Sequence, residues 1–174
     1  MRGWGPPPSP PTRAFGLHWS MDTLDRTPAK PTYEEDFVLW LETQAELLRQ
    51  GRVHELDLEN LAEEVESIGR SDKREVYNRL TVLITHLLKY QFQPDKRTRG
   101  WLSTVSEQRR RLRLVLADSP SLEKTHVPSK LEAIYHDARR KASTETQLSP
   151  SAFPKTTPYT LAQILDEDFF PEGS

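Results

Sequence analysis

The fold of this chain is decided by the stretch VYNRLTVLITHLL, residues 76–88. Its apolar side chains recur at intervals of three and four, which is the spacing of one face of an α-helix. Ser71 is a favourable N-cap before this stripe, and Pro94 cannot continue a helix after it. The stretch therefore predicts a helix, the third along the chain, that is buried along the face formed by Val76, Leu80, Leu83, Ile84, Leu87 and Leu88.

Two more helices are predicted before this stretch. Thr32 and Glu35 have the spacing of a capping box, and the apolar pattern that follows them stops at Gly51. Asp57 is a favourable N-cap for a second helix, and Gly69 has the residue type preferred just after a helix end. The second helix has an apolar stripe of its own, which is predicted to face the core and is formed by Leu58, Leu61, Ala62, Val65 and Ile68.

The remaining helices are predicted after residue 97. A fourth begins near Thr98 or Trp101. Ser119 with Pro120 begins a fifth, whose start Pro128 splits or kinks. Thr160 caps a short last helix that reaches residue 168. No segment alternates between apolar and polar residues for long enough to be a strand. The predicted fold class is all-α, an antiparallel helical bundle of about five helices plus a short C-terminal helix.

Composition divides the chain into two parts. Residues 1–31 are rich in proline, which excludes helix and central strand, so we predict a disordered leader followed by a single helical domain over residues 32–171. The alternative role for the leader is a polyproline ligand of an aromatic groove. Because composition changes near Met21, that residue is an alternative to Met1 as the translation start.

Several classes of protein are excluded by composition. The chain has no Cys, so it has no disulfide, thiolate metal site or cysteine nucleophile. No run approaches the roughly 18 apolar residues of a membrane span, and no signal peptide precedes the helices. We expect a cytoplasmic protein that does not act at a membrane.

Four runs resemble a known family. They are DLENLAEEVESIG (57–69), HLLKYQ (86–91), EQRR (107–110) and DEDF (166–169), and they are similar to the bacterial domain of unknown function 29, common in cyanobacteria. The resemblance covers residues 33 to 171. It implies an all-helical bacterial domain and implies neither an activity nor catalytic residues.

Charge is distributed unevenly along the chain. Residues 34–66 hold eleven acids and two bases, whereas residues 89–113 hold eight bases and two acids. One interpretation is that these charges pair within the protein, and the other is a stripe that binds phosphates. The candidate phosphate-binding residues are Lys89, Arg109, Arg110 and Arg113.

A second candidate group combines acids with one histidine. Glu59, Glu63 and Glu66 share one face of the second helix, where they could hold a divalent cation or supply a general acid. His86 could meet Glu63, but antiparallel helices joined at residues 69–71 would place the two at heights that differ by roughly 13 Å. Glu107 of the fourth helix is the other candidate partner of His86.

We expect no metal and no cofactor. A di-iron bundle needs two Glu-x-x-His motifs, and this chain has one, at residues 123–126 beside a proline. Glycine-rich phosphate loops and a nucleophile elbow are both missing.

The predicted function is a non-enzymatic protein-interaction module, with a protein partner favoured over nucleic acid. The alternative is a hydrolase, dependent on metal or on acid–base catalysis, or a nucleic-acid-binding protein that uses the second-helix carboxylates, His86 and the basic run. An enzyme requires these groups to converge in one pocket, whereas a module disperses them and exposes an apolar patch.

Overall fold

A computed structural model of the chain describes residues 32–173. The leader predicted for residues 1–31, with its alternative start at Met21, lies outside the described residues. Within residues 32–173 there is no strand, which confirms the all-α prediction. The helices are α1 (Phe37–Arg49), α2 (Leu58–Phe92), α3 (Arg99–Asp118), α4 (Val127–Thr146) and α5 (Leu161–Leu165).

The described residues fall into two compact units, residues 32–57 and residues 58–173. In the first, Asp36 caps α1 by accepting a hydrogen bond from the Leu39 N–H at 3.0 Å. The predicted cap at Thr32 is therefore wrong, because Thr32 and Glu35 form the turn before the helix. The predicted stop at Gly51 is confirmed, since Gly51 has a φ of +70° just after α1 ends.

A buried tryptophan organises the first unit. Trp40 is 2% exposed, and its indole N–H donates to the Asp57 carboxylate at 3.3 Å. The Asp57 backbone N–H in turn donates to the Gln44 side-chain oxygen at 2.9 Å. The end of this unit is thereby tied back to α1. The single domain predicted over residues 32–171 stays a prediction.

In the second unit, the predicted second and third helices are one continuous helix, α2, of 35 residues. The predicted break at Gly69 is wrong. Glycine inside a helix costs only about 1 kcal/mol relative to alanine, which the packing of the rest of the helix can offset. Ser71 was predicted as an N-cap. Because the helix continues through Gly69, Ser71 is an interior helical residue.

The other two long helices of the second unit pack on the C-terminal part of α2. Arg79 contacts Gln108 and Lys89 contacts Trp101, so α3 runs antiparallel to α2, as predicted for neighbours. The Tyr77 hydroxyl donates a hydrogen bond to the Asp137 carboxylate at 2.7 Å, and the Lys89 ammonium donates to the Glu145 carboxylate. Because the later residue of α2 contacts the later residue of α4, the two helices run parallel. The core between them includes Leu80, Leu83, Leu87, Leu112, Ile134 and Ala138, each at most 1% exposed.

Pro128 disturbs the start of α4, as predicted. A π-helical turn, Leu122–His126, immediately precedes α4, and Pro128 lies in the first turn of that helix. Proline lacks an N–H and its ring collides with the carbonyl four residues earlier. A wider turn relieves both problems, which explains the irregularity at this position.

The C-terminal segment closes the second unit. The Tyr135 hydroxyl donates to the Pro154 carbonyl at 2.8 Å, and the Tyr159 hydroxyl donates to Gln91 at 2.6 Å. Thr160 forms the predicted cap of α5 in a capping box with Gln163. Helix α5 ends at Leu165, three residues earlier than predicted.

Candidate interaction surface

The predicted site carboxylates of the second helix lie on the surface. Glu59, Glu63 and Glu66 are all exposed. Glu66 accepts a hydrogen bond from Arg70 at 3.0 Å, one turn later on the same helix. Within residues 32–173, neither Glu59 nor Glu63 has an ion-pair partner. Because all three carboxylates are exposed, they form no buried site.

His86 lies far from those carboxylates. Because α2 is continuous, the 23 positions between Glu63 and His86 correspond to about 35 Å along one helix axis. His86 is half-buried, and its Nδ1 donates to the Val82 carbonyl at 3.0 Å. Burial lowers its pKa, and the nearby charge of Lys89 lowers it further. The His86–Glu63 pair considered from the sequence is therefore not formed.

The second candidate partner of His86 is engaged elsewhere. Glu107 accepts hydrogen bonds from Arg110 at 2.9 and 3.0 Å and from Arg111 at 2.5 Å. These bonds lower the pKa of Glu107 to about 2. Glu107 is thus a carboxylate held between two guanidinium groups on the surface of α3.

The basic run is also paired within the protein. Besides the bonds of Arg110 to Glu107, Arg113 forms an ion pair with Glu167. Lys89 donates to Glu145 at 2.7 Å and lies 4.7 Å from the centre of the Trp101 ring. Three of the four candidate phosphate-binding residues, Lys89, Arg110 and Arg113, are therefore engaged with carboxylates of the protein itself.

Arg109 has a role that the sequence did not reveal. It is 2% exposed, and its guanidinium donates to the carbonyl oxygens of Ile164, Glu167 and Phe169 at 2.9, 3.2 and 2.8 Å. Its charge also lies 5.3 Å from the centre of the Phe170 ring. Arg109 thus fixes the C-terminal segment to α3. Spacing was the signal that could have found it, because Arg109 lies four positions after Val105 and three before Leu112, on the buried face of α3.

Arg109 and Arg113 line one groove of the second unit, which has a volume of about 420 Å³. A groove of about 450 Å³ between α2 and α3 is lined by residues that include Arg74, Arg79 and Gln108. Another of about 540 Å³, between α2 and α4, has Asp137, Arg140 and Glu145 in its walls. None of these three grooves contains His86 or the second-helix carboxylates. Among the described residues, no group of three His, Asp or Glu is placed to hold a metal.

The first part of α2 exposes the apolar stripe that the sequence predicted to be buried. Leu58, Val65 and Ile68 are 61%, 68% and 65% exposed, and Leu61 is partly exposed. No residue between 58 and 75 is buried, whereas eight residues from Val76 onward are. We refer to residues 58–70 of α2 as the overhang.

The overhang lies beyond the part of α2 that α3 and α4 cover. Hydrogen bonds to those helices begin at Tyr77 and Arg79. Lys73 lies close enough to the π-helical turn to act electrostatically on His126. The connection between α3 and α4 therefore lies near residue 73, and about 20 Å of helix precede it.

The first unit has exposed apolar side chains of its own. Val38, Leu48 and Val53 are each more than half exposed. Phe37 is 42% exposed and stacks on Trp40 at 6.0 Å between ring centres.

No helix within residues 32–173 is both long enough and apolar enough to span a membrane.

Comparison with known proteins finds one family. The sequence model described as "Domain of unknown function DUF29" matches residues 32–170, which is most of the chain. No curated protein and no solved structure matches the chain.

Proposed function

We propose that this chain, which belongs to the DUF29 family, is a protein-interaction module that binds its partner through the apolar face of the overhang. One observation carries the proposal. The stripe Leu58, Leu61, Val65 and Ile68 follows a helical spacing of three and four, yet three of its members are more than 60% exposed. A contiguous exposed apolar stripe of this kind marks an interaction surface more often than a solvated one.

The continuity of the face supports the proposal. The stripe of the overhang continues along the same side of α2 into Val76, Leu80, Leu83 and Leu87, which are fully buried. The same helical face therefore contacts α3 and α4 at one end and solvent at the other. A partner helix on the overhang would extend the packing that the bundle already uses.

The positions of the predicted site residues favour a module over a hydrolase. The carboxylates are on the surface, His86 is about 35 Å from Glu63, and the arginines of α3 are engaged with Glu107, Glu167 and backbone carbonyls. Acid–base catalysis needs its groups within hydrogen-bonding reach of one substrate. We further propose a bacterial, cytoplasmic setting, which the absence of Cys fits.

The proposal is tested by affinity capture from the native host with matched variants. The tagged chain, Val65→Ser/Ile68→Ser and the control Leu114→Ser, whose leucine is 56% exposed on α3, are compared for eluted protein and nucleic acid. We expect one protein to elute with the tagged chain and the control but not with the double variant. Equal recovery with all three would contradict the proposal, as would nucleic acid that elutes regardless of the stripe.

A further inference from the structure

We infer that the groove between α3 and α5 binds a small amphipathic carboxylate, which is a molecule with one carboxylate group and a compact apolar body. The groove has a volume of about 420 Å³, within the range of small-molecule sites in proteins. Two arginines and one glutamate line it, and the rest of its walls are apolar. None of these residues belongs to the overhang, so the inference is independent of the proposed function.

Helix α3 supplies one wall of the groove. Four of its residues share one helical face and line this wall, namely Arg109, Arg113, Leu116 and Ala117. Leu165, the last residue of α5, and Pro120 add apolar surface from the neighbouring segments. An apolar body in the groove would therefore be removed from water on more than one side.

The buried cation of Arg109 is the first reason for an anionic ligand. Three of its five N–H groups donate to backbone carbonyls, and within residues 32–173 no carboxylate bonds to it. Burial lowers the pKa of Arg109, and the charges of Asp166 and Asp168 offset only part of this effect. Buried charges are usually paired with a charge of opposite sign. A carboxylate in the groove would supply that charge.

Arg113 is the second reason, and it shows which kind of group the groove accepts. It lies one helical turn after Arg109 and forms an ion pair with Glu167. The two side chains of this pair are 59% and 62% exposed. Exposed ion pairs contribute little to stability, so a ligand carboxylate can take the place of Glu167 on the guanidinium.

The acids around the groove limit the charge of the ligand. Glu123 lines the groove after the end of α3, whereas both arginines come before that end. Asp166, Glu167 and Asp168 follow α5 and are exposed. These carboxylates oppose a ligand with two negative charges, such as a phosphate monoester. A single carboxylate directed at the arginines, with its apolar body beside Leu165, fits this distribution of charge.

NMR titration of the full chain with four small probes tests the inference. Hexanoate belongs to the proposed class. Acetate lacks the apolar body, hexylammonium reverses the charge, and hexyl phosphate carries a second negative charge. We expect hexanoate to bind at least tenfold more tightly than each of the other three. It should shift the amide resonances of residues 109–123 and 165 and leave those of residues 58–70 unchanged.

Variants at exposed positions separate the groove from general charge attraction. Arg113→Gln should weaken hexanoate binding at least fivefold, whereas Glu167→Gln, which removes the competing carboxylate, should strengthen it about threefold. Ala117→Trp places a large ring in the groove and should abolish binding. Arg111→Gln removes the same charge from another face of α3 and is the control, with binding unchanged within twofold. Circular dichroism and thermal melting establish that each variant is folded.

The other outcomes overturn the inference. Equal weakening by Arg113→Gln and Arg111→Gln would reduce the result to general charge attraction. Tighter binding of hexyl phosphate or hexylammonium would reject a carboxylate as the ligand. Shifts confined to residues 58–70, or no shifts at millimolar hexanoate, would reject the groove as the site. Partner capture by the overhang is measured separately, so these failures leave the proposed function standing.

Discussion

Val65 and Leu83 lie on the same face of α2, about five helical turns apart, yet Val65 is 68% exposed and Leu83 is fully buried. The two residues belong to one apolar stripe. What separates them is the length of α3 and α4, which cover only the C-terminal part of α2. The interaction surface proposed here is the remainder of that stripe.

Truncation of these two residues should have very different effects on the free energy of unfolding. Leu83→Ala removes buried methyl groups and leaves a cavity, so we expect a loss of about 2–5 kcal/mol. Val65→Ala removes methyl groups that solvent already reaches, and should change stability by less than about 0.5 kcal/mol. Urea unfolding at low protein concentration measures both. Comparable losses would mean that the overhang is packed in the free protein.

Glycine substitutions test whether α2 is continuous. A Cβ added at Gly69 would meet nothing within 4 Å, so Gly69→Ala should stabilise the protein by up to about 1 kcal/mol. Gly51 has a φ of +70°, a backbone conformation that is unfavourable for a residue with a Cβ. Gly51→Ala should therefore destabilise the protein by a similar amount. Thermal or urea unfolding compares the two. Destabilisation by Gly69→Ala would indicate that the helix ends there.

The buried arginine of α3 should not tolerate lysine. Arg109→Lys keeps the charge but loses the planar group that donates to three carbonyl oxygens. We expect a loss of about 2–3 kcal/mol, because buried carbonyls lose their donors. Hydrogen exchange should also become faster around residues 161–170. The control is Arg110→Lys at an exposed position, which should change stability by less than about 0.5 kcal/mol. Equal losses at both positions would contradict the role of Arg109 in fixing the C-terminal segment to α3.

His86 should make stability depend on pH. Burial lowers the pKa of His86 in the folded chain, so the unfolded chain binds a proton more readily. Stability is therefore expected to fall as pH drops below about 6.5, the pKa of an unperturbed histidine. Urea unfolding at pH 7.5 and 5.5 should show a smaller difference for His86→Gln than for the parent chain. His54→Gln, whose side chain is 82% exposed, is the control; if both variants keep the parent's pH dependence, His86 is not the group responsible.

The sequence predicted the helices well because their caps and stripes are local features. Thr160 and Gly51 act as predicted, and Pro128 lies beside an irregular turn. The error at Gly69 has a physical cause. A glycine ends a helix only when the backbone turns there, and the packing of residues 76–92 outweighs the local preference.

The candidate site was harder to predict because it depends on tertiary contacts. Glu107 and the basic residues near it form pairs that the charge count alone could not assign. The carbonyl partners of Arg109 could not be assigned either, although its spacing from Val105 and Leu112 places it on the buried face of α3. The apolar stripe at residues 58–68 was visible in the sequence, but its exposure follows from where α3 and α4 stop.

Covalent side-chain footprinting of the full chain tests the central claim most directly. The labelling of residues 58–70 is compared between the purified, dilute protein and the same protein in extract of its native host, with Leu114 as an internal reference on α3. The account predicts that Leu58, Leu61, Val65 and Ile68 label strongly in isolation and become protected in the extract, while Leu114 does not change. Labelling of these four residues that is the same in both conditions would contradict the claim that the overhang binds a protein.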